Sequence, residues 1–186
     1  LKNINLVLHE WGGTLGLTLP IENPKNYSGI ICFNTYMSNN FIKLGSSYLN
    51  WIDSNINNDN LNVRALMART NRILNLSECN AYEAPFPDKS YKLALKLLPS
   101  IFPSSKEKDG YEVSLKVEEW WKENSLEKCF ILGSAKDPLI PLEKMKLLSQ
   151  IISSNEVTHV INNAGHFVPE WGMEFGHELF SQFKES

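Results

Sequence analysis

Three side chains, far apart in the chain, have the types needed for hydrolysis through a covalent ester: Glu10, Asp137 and His166. A carboxylate can attack a saturated carbon and become esterified to it. A histidine can then take a proton from water, and the activated water hydrolyses that ester. A second carboxylate holds the imidazole in one tautomer and stabilises its charged form. The chain order here is nucleophile, acid, histidine, and each residue follows shortly after an apolar run that reads as a buried strand. Taken singly, Asp137 before Pro138 is a turn former and His166 a polar loop residue; it is the three strand ends together that point to a site.

The elements that must position them can be read in turn. The run Ile4-Asn5-Leu6-Val7-Leu8 leads through His9 to Glu10 and then at once to Trp11-Gly12-Gly13. This is the pattern of a nucleophile elbow, in which a strand turns sharply into a helix, lifts the turn residue above the sheet, and uses glycine so that the helix packs close. Strict alternation along the strand would send His9 to the face opposite Glu10, a structural position. Ser28 to Asn34 reads as a second strand, and Asn34 at its carboxyl end is a candidate pocket residue or a turn-forming Asn. Lys128 to Gly133 is a third strand, leading into the loop Ser134 to Pro138. Val157 to Ile161 is a fourth, leading into the loop Asn162 to Phe167. Between the second and third strands lie helical stretches at 46–55 and 61–74, one opening with Ser77 as N-cap, a break at Pro85-Phe86-Pro87-Asp88, and one over 91–98. Helices follow over 111–124, 141–152 and 170–183. Trp120 and Trp121 on the first of these read as packing residues. The sum is an α/β fold with a mostly parallel sheet: core residues 1–35 and 111–186, with a helical cap inserted at 36–110.

The 186 residues suffice for one good core. A net charge of -3 and a pI near 5.8 leave no electrostatic footprint for nucleic acid. No apolar run approaches the roughly 18 residues that a membrane helix needs. Cys32, Cys79 and Cys129 are distant from one another and lack metal-ligand spacing, so they read as free thiols in a reducing, cytoplasmic compartment. Cys32 and Cys129 are expected in the core. No metal and no cofactor is called for; the expected partners are substrate and water.

The stretch Leu6 to Pro20, the segment Ala81-Tyr82-Glu83-Ala84-Pro85-Phe86-Pro87-Asp88-Lys89-Ser90-Tyr91, the loop Gly133 to Asp137, and Asn163-Ala164-Gly165-His166-Phe167-Val168-Pro169-Glu170-Trp171-Gly172 together resemble haloalkane dehalogenases, of the branch whose triad acid follows the post-cap strand. The resemblance spans nearly the whole chain. It implies the carboxyl-terminal part of an α/β-hydrolase fold, a halogenated alkane as substrate, and halide as product. By that resemblance Glu10 is the nucleophile, Asp137 the acid and His166 the base. Trp11 is a halide-binding tryptophan whose backbone N–H also forms one arm of an oxyanion hole. An indole N–H donates and cannot accept, which suits an anion. A second halide-binding tryptophan is expected from the cap, and Trp51 is the candidate there, or else a packing residue. Phe86 and Pro87 are expected to line the pocket.

Two departures leave alternatives open. The family carries Asp where this chain has Glu10, and a carboxylate moved by about a bond length can lose on the order of a hundredfold in rate. Glu10 is therefore open to three roles: attack on carbon, base towards water, or none. The chain also opens on Leu1 and lacks the strands that the family places before the elbow. A fragment, processed chain or half of a split protein is expected, with Ile4 to Leu8 as an unpaired apolar edge that favours self-association or a missing amino-terminal half; a well-behaved monomer in light scattering would argue against that. Besides the dehalogenase, two readings stand: an epoxide hydrolase, which needs paired tyrosine hydroxyls over Glu10 (Tyr48, Tyr82 and Tyr91 are available), and a catalytically inactive remnant of the fold.

Overall fold

The computed structural model describes residues 1–37, 45–58, 60–67, 70–153 and 159–184. Four parallel strands form one sheet in the order β1-β2-β3-β4: β1 is Ile4–Glu10, β2 Tyr27–Thr35, β3 Lys128–Ser134 and β4 His159–Ile161. Val157 and Thr158, read as the start of the last strand, lie outside the described residues. β2 and β3 are buried along most of their length, as expected of central parallel strands covered on both faces. β1 is an edge, with Val7 63% exposed.

Two apolar layers sandwich the sheet. On one side Leu6, Leu8, Ile30, Cys32 and Ile131 pack with Trp121 and Val117 of helix α7 (Tyr111–Glu123) and with Met145, Leu148 and Ile152 of α8 (Leu142–Ile152). On the other, Ile31, Phe33, Phe130 and Leu132 meet Phe175 of α9 (Gly172–Phe183). Numbering follows chain order, so the elbow leads into α1 (Trp11–Gly16) and α2 (Leu19–Glu22), and the segment between β2 and β3 carries α3 (Ser46–Ile56), α4 (Val63–Met67), α5 (Leu76–Glu83) and α6 (Leu93–Leu97). Trp121 is a packing residue, as expected; it is 1% exposed, and its indole N–H donates to the Leu17 carbonyl at 2.9 Å.

Several boundaries differ from those read in the sequence. The helix expected over 61–74 is the short α4; residues 68 and 69 are outside the description, and Asn71 has left the helix at φ 62°. The cap of α5 is Asn75 rather than Ser77. Asn75 accepts from the Glu78 amide while Glu78 reaches back to the Asn75 amide, a reciprocal capping box that Ser77 cannot form. Pro141 stands just before α8, as its N-cap, rather than in its first turn.

Candidate active site

The elbow is built as the sequence requires. Glu10 has φ 48° and ψ -120°, a strained conformation for a residue with a side chain, and it caps α1. Two contacts hold it there. Thr35 at the end of β2 donates its hydroxyl to the Glu10 carbonyl at 2.6 Å. Gly13 lets α1 approach that same threonine, since a Cβ at Gly13 would lie 1.8 Å from Thr35 Oγ1. Gly12 has open space around it, so Gly13 is the glycine that the packing needs.

Asp137 and His166 come together from the ends of β3 and β4. His166 Nδ1 lies 2.9 Å from Asp137 Oδ2, with the two residues 4% and 7% exposed. A carboxylate can only accept, so Nδ1 carries the proton and Nε2 is left as the basic nitrogen. The other carboxylate oxygen, Oδ1, accepts from the amides of Leu139 at 2.7 Å and Ile140 at 3.0 Å. Burial pushes the Asp137 carboxyl up, but the His166 hydrogen bond and charge and these amides outweigh it, and the net shift is downward. Asp137 therefore stays charged beneath the imidazole.

Asn34 does not line the cavity; it lies below it. Fully buried, it donates from Nδ2 to Asp137 Oδ2 at 2.6 Å and to Ser134 Oγ at 2.5 Å, and accepts from the Ser134 amide at 3.0 Å. Ser134 Oγ in turn donates to the Gly165 carbonyl at 2.8 Å. Asn34 thus ties the acid to the histidine loop.

His9 departs further from expectation. The alternation that would turn it away fails at the elbow, where the β1–β2 register shifts between His9 and Glu10. His9 lines the same cavity as Glu10, and its Nε2 donates to the His166 carbonyl at 2.9 Å. The acceptor is a carbonyl, so the proton sits on Nε2. Burial, and then the neighbouring His166, lower its pKa to about 4, and it is neutral at ordinary pH.

The cavity holds about 270 Å³. Its polar side is His9, Glu10, Trp11 and His166; its walls are Trp51, Leu66, Leu95, Leu98, Pro99, Leu139 and Phe167. Phe86 and Pro87 are not among them. They sit in the turn after α5, Pro87 exposed, and the wall is made by α6 and the residues just after it. Trp11 and Trp51 both line the cavity, and the Trp11 indole N–H is buried without a hydrogen-bond acceptor. The Trp11 backbone N–H donates to Glu10 Oε2. Burial raises the Glu10 carboxyl above its ordinary range, against the downward pull of His166 and of this amide.

Of the tyrosines, Tyr82 and Tyr91 are exposed and Tyr48 is buried beside Tyr36, ring centroids 6.2 Å apart. Burial, and then the Tyr48 and Glu10 charges, raise the Tyr36 phenol; burial and Glu10 raise Tyr48, against a smaller downward pull from the Tyr36 hydroxyl; neither tyrosine lines the cavity. Among the described residues no cluster of His, Cys, Asp and Glu could hold a metal ion, and no helix is long and apolar enough to cross a membrane.

No family model matches the chain. It is 29% identical to a haloalkane dehalogenase of Psychrobacter cryohalolentis, over 98% of this chain and 61% of that protein. It is 24% identical to one of Mycolicibacterium paratuberculosis, over 91% of this chain and 56% of the relative. The tetrameric haloalkane dehalogenase DpaA of Paraglaciecola agarilytica superposes with a TM-score of 0.90 at 31% identity, covering 100% of this chain and 62% of that one. An α/β-hydrolase-fold protein of Burkholderia ambifaria superposes at 0.69 with 16% identity, a likeness of fold alone. The chain spans about three fifths of the length of the relatives it matches. It is similar to haloalkane dehalogenases along nearly its whole length and has the α/β-hydrolase fold.

Proposed function

We propose that this site hydrolyses carbon–halogen bonds through an alkyl ester on Glu10. The observation that carries the reading is the meeting of Glu10, the Asp137–His166 pair and the buried Trp11 indole at one apolar cavity. Glu10 Oε1 attacks the carbon; the C–O bond forms as the C–halogen bond breaks, and halide leaves with the bonding pair towards the indoles of Trp11 and Trp51. His166 Nε2 then takes a proton from water, and the hydroxide adds to the ester carbonyl. The oxyanion that develops is Oε2, which already accepts the Trp11 amide. Collapse expels the alcohol, protonated by the imidazolium, and the Glu10 carboxylic acid returns its proton to solvent. Asp137 stabilises the imidazolium between these steps.

Halide release from a panel of chloro- and bromoalkanes tests this, with the chain as it stands beside Glu10→Asp and His166→Phe. Removing the base should stop the second half-reaction and leave an alkyl group on the Glu10 peptide, visible by mass. No halide from either the parent chain or Glu10→Asp refutes the reading. Epoxide opening is the second reading, favoured by the buried Tyr36–Tyr48 pair near Glu10; diol formation from an epoxide without halide release would select it.

A further inference from the structure

Two stretches that carry the family resemblance take no part in the chemistry above: the segment around Tyr82 and the segment from Pro169 to Trp171. They meet in space. Arg72 Nη2 donates to Glu78 Oε1 at 2.8 Å and to the Glu170 carboxylate, and the Tyr82 hydroxyl donates to that same carboxylate. Beside this node the chain is stitched to the loop carrying His166. The Thr70 carbonyl accepts from the Gly165 amide at 3.0 Å and from the Trp171 indole at 2.7 Å. Thr70 Oγ1 donates to the Phe167 carbonyl at 3.2 Å, and Asn71 Nδ2 to the Asn163 carbonyl at 3.1 Å. Thr70 is fully buried, and Asn71 takes a left-handed φ of 62°, which Asn tolerates better than most residues. These bonds bracket His166 from Asn163 to Trp171. His9 holds the His166 carbonyl from the strand side.

We propose that Arg72 and Glu170 are positioning residues: they latch the helical segment between β2 and β3 onto the histidine loop and thereby set where His166 stands over the ester. The proposal rests on the hydrolytic reading above and deepens it. The geometry makes the latch selective between half-reactions. Attack on the halogenated carbon is made by Glu10, which is held by Thr35 and Gly13 and by none of the bonds of the latch. Hydrolysis of the ester is made by His166, whose loop the latch grips. A loosened latch therefore slows the second step and spares the first. A single guanidinium nitrogen, Nη2, serves both carboxylates, one with each of its two N–H donors.

The test compares Arg72→Met, Glu170→Gln and Arg72→Lys with the parent chain, each first shown by thermal melting to be folded. Single-turnover kinetics separate the halide burst from ester hydrolysis. In Arg72→Met the burst should stay within about twofold while hydrolysis falls about tenfold, as a displacement of the base below 1 Å would cause. Glu170→Gln, which keeps an acceptor for Arg72 and Tyr82, should lose less, and Arg72→Lys should recover part of the hydrolysis rate. Equal losses in both steps, or no loss in a folded Arg72→Met chain, overturn the proposal. Where only Glu10→Asp turns over, the same variants are compared in that background; should neither it nor the parent chain release halide, the hydrolytic reading fails, and the latch is judged by amide exchange alone. Gly165 should then exchange at least about tenfold faster in Arg72→Met with the amides of Ile30 to Cys32 unchanged, and an unmoved Gly165 overturns it.

Discussion

Shortening Glu10 to aspartate withdraws the carboxylate by about 1.5 Å, one carbon–carbon bond. Several groups that the proposed reaction would use stand around it. The imidazole is 2.9 Å from its acid, the Trp11 amide is already on a carboxylate oxygen, and an unpaired indole donor lies at the same cavity. The reach of the carboxylate is the one dimension in which this elbow departs from the pattern it resembles. Productive attack requires the reacting atoms about 3–3.5 Å apart and aligned, and a misplacement near 1 Å costs on the order of a hundredfold. Glu10→Asp should therefore release halide from a bromoalkane about a hundredfold faster, equivalent to about 2.7 kcal/mol at about 1.36 kcal/mol per tenfold. Stability should stay within about 0.5 kcal/mol, since Asp tolerates a positive φ at least as well as Glu. The assay is halide release above the pH at which the raised Glu10 carboxyl ionises, with thermal melts alongside. A variant no faster than the parent chain would show that the site is built for the longer side chain, and the argument from reach would be wrong.

His9→Gln keeps a donor for the His166 carbonyl but cannot titrate. With the folded pKa near 4 against 6.5 for the free side chain, the unfolded chain takes up a proton below pH 6.5 that the folded one refuses. The parent chain should thus lose about 3 kcal/mol between pH 6.5 and 4, and His9→Gln should not; equal losses in pH-dependent denaturant melts would contradict this. Asp137 acts at lower pH: its depressed carboxyl contributes stability above the ordinary aspartate range that is lost as pH falls through the folded value. Trp11→Phe removes a buried donor that has no acceptor, so it should leave stability unchanged or slightly raised while weakening bromide binding about tenfold, read by fluorescence quenching. Gly13→Ala drives a methyl into Thr35 Oγ1 and breaks its bond to the Glu10 carbonyl, so about 3 kcal/mol should be lost in a urea melt.

The strands, and the convergence of three polar strand ends on one rim, were legible because they obey local rules. Apolar runs end at polar residues, and parallel strands put those ends at one rim, so Glu10, Asp137 and His166 could be placed without coordinates. What escaped has no local signature. His9 was misplaced because period-two alternation assumes an unbroken strand, and the register shifts between His9 and Glu10. The cavity wall went to Leu95, Leu98 and Pro99 rather than Phe86 and Pro87 because periodicity in a short apolar helix tells that a face is covered, not what space it borders. Arg72 and Glu170 are 98 positions apart, and nothing near either names the other. The Asn75 cap, by contrast, has a local signature: Asn followed three residues later by Glu is the capping-box signal, whereas Ser77 has Asn80 at that spacing.

The costs carried by the elbow converge in a way that packing alone does not explain. Glu10 holds a strained backbone and a carboxyl whose burial opposes its charge. His9, next to it, is held neutral at a cost to acid stability. Trp11, next again, buries a donor with nothing to receive it. A chain selected only for a stable strand–helix junction would relieve each of these by a single substitution: glycine at the turn, an apolar residue before it, phenylalanine after it. Instead the surrounding structure is spent on keeping them, with Thr35 and Gly13 pinning the turn and Asn34 and Ser134 pinning the acid beneath. Local rules broken at three adjacent residues and supported from two other strands mark a place where the sequence answers to chemistry. If the elbow serves the halide proposed above, relieving all three costs at once should give a more stable chain that binds no halide.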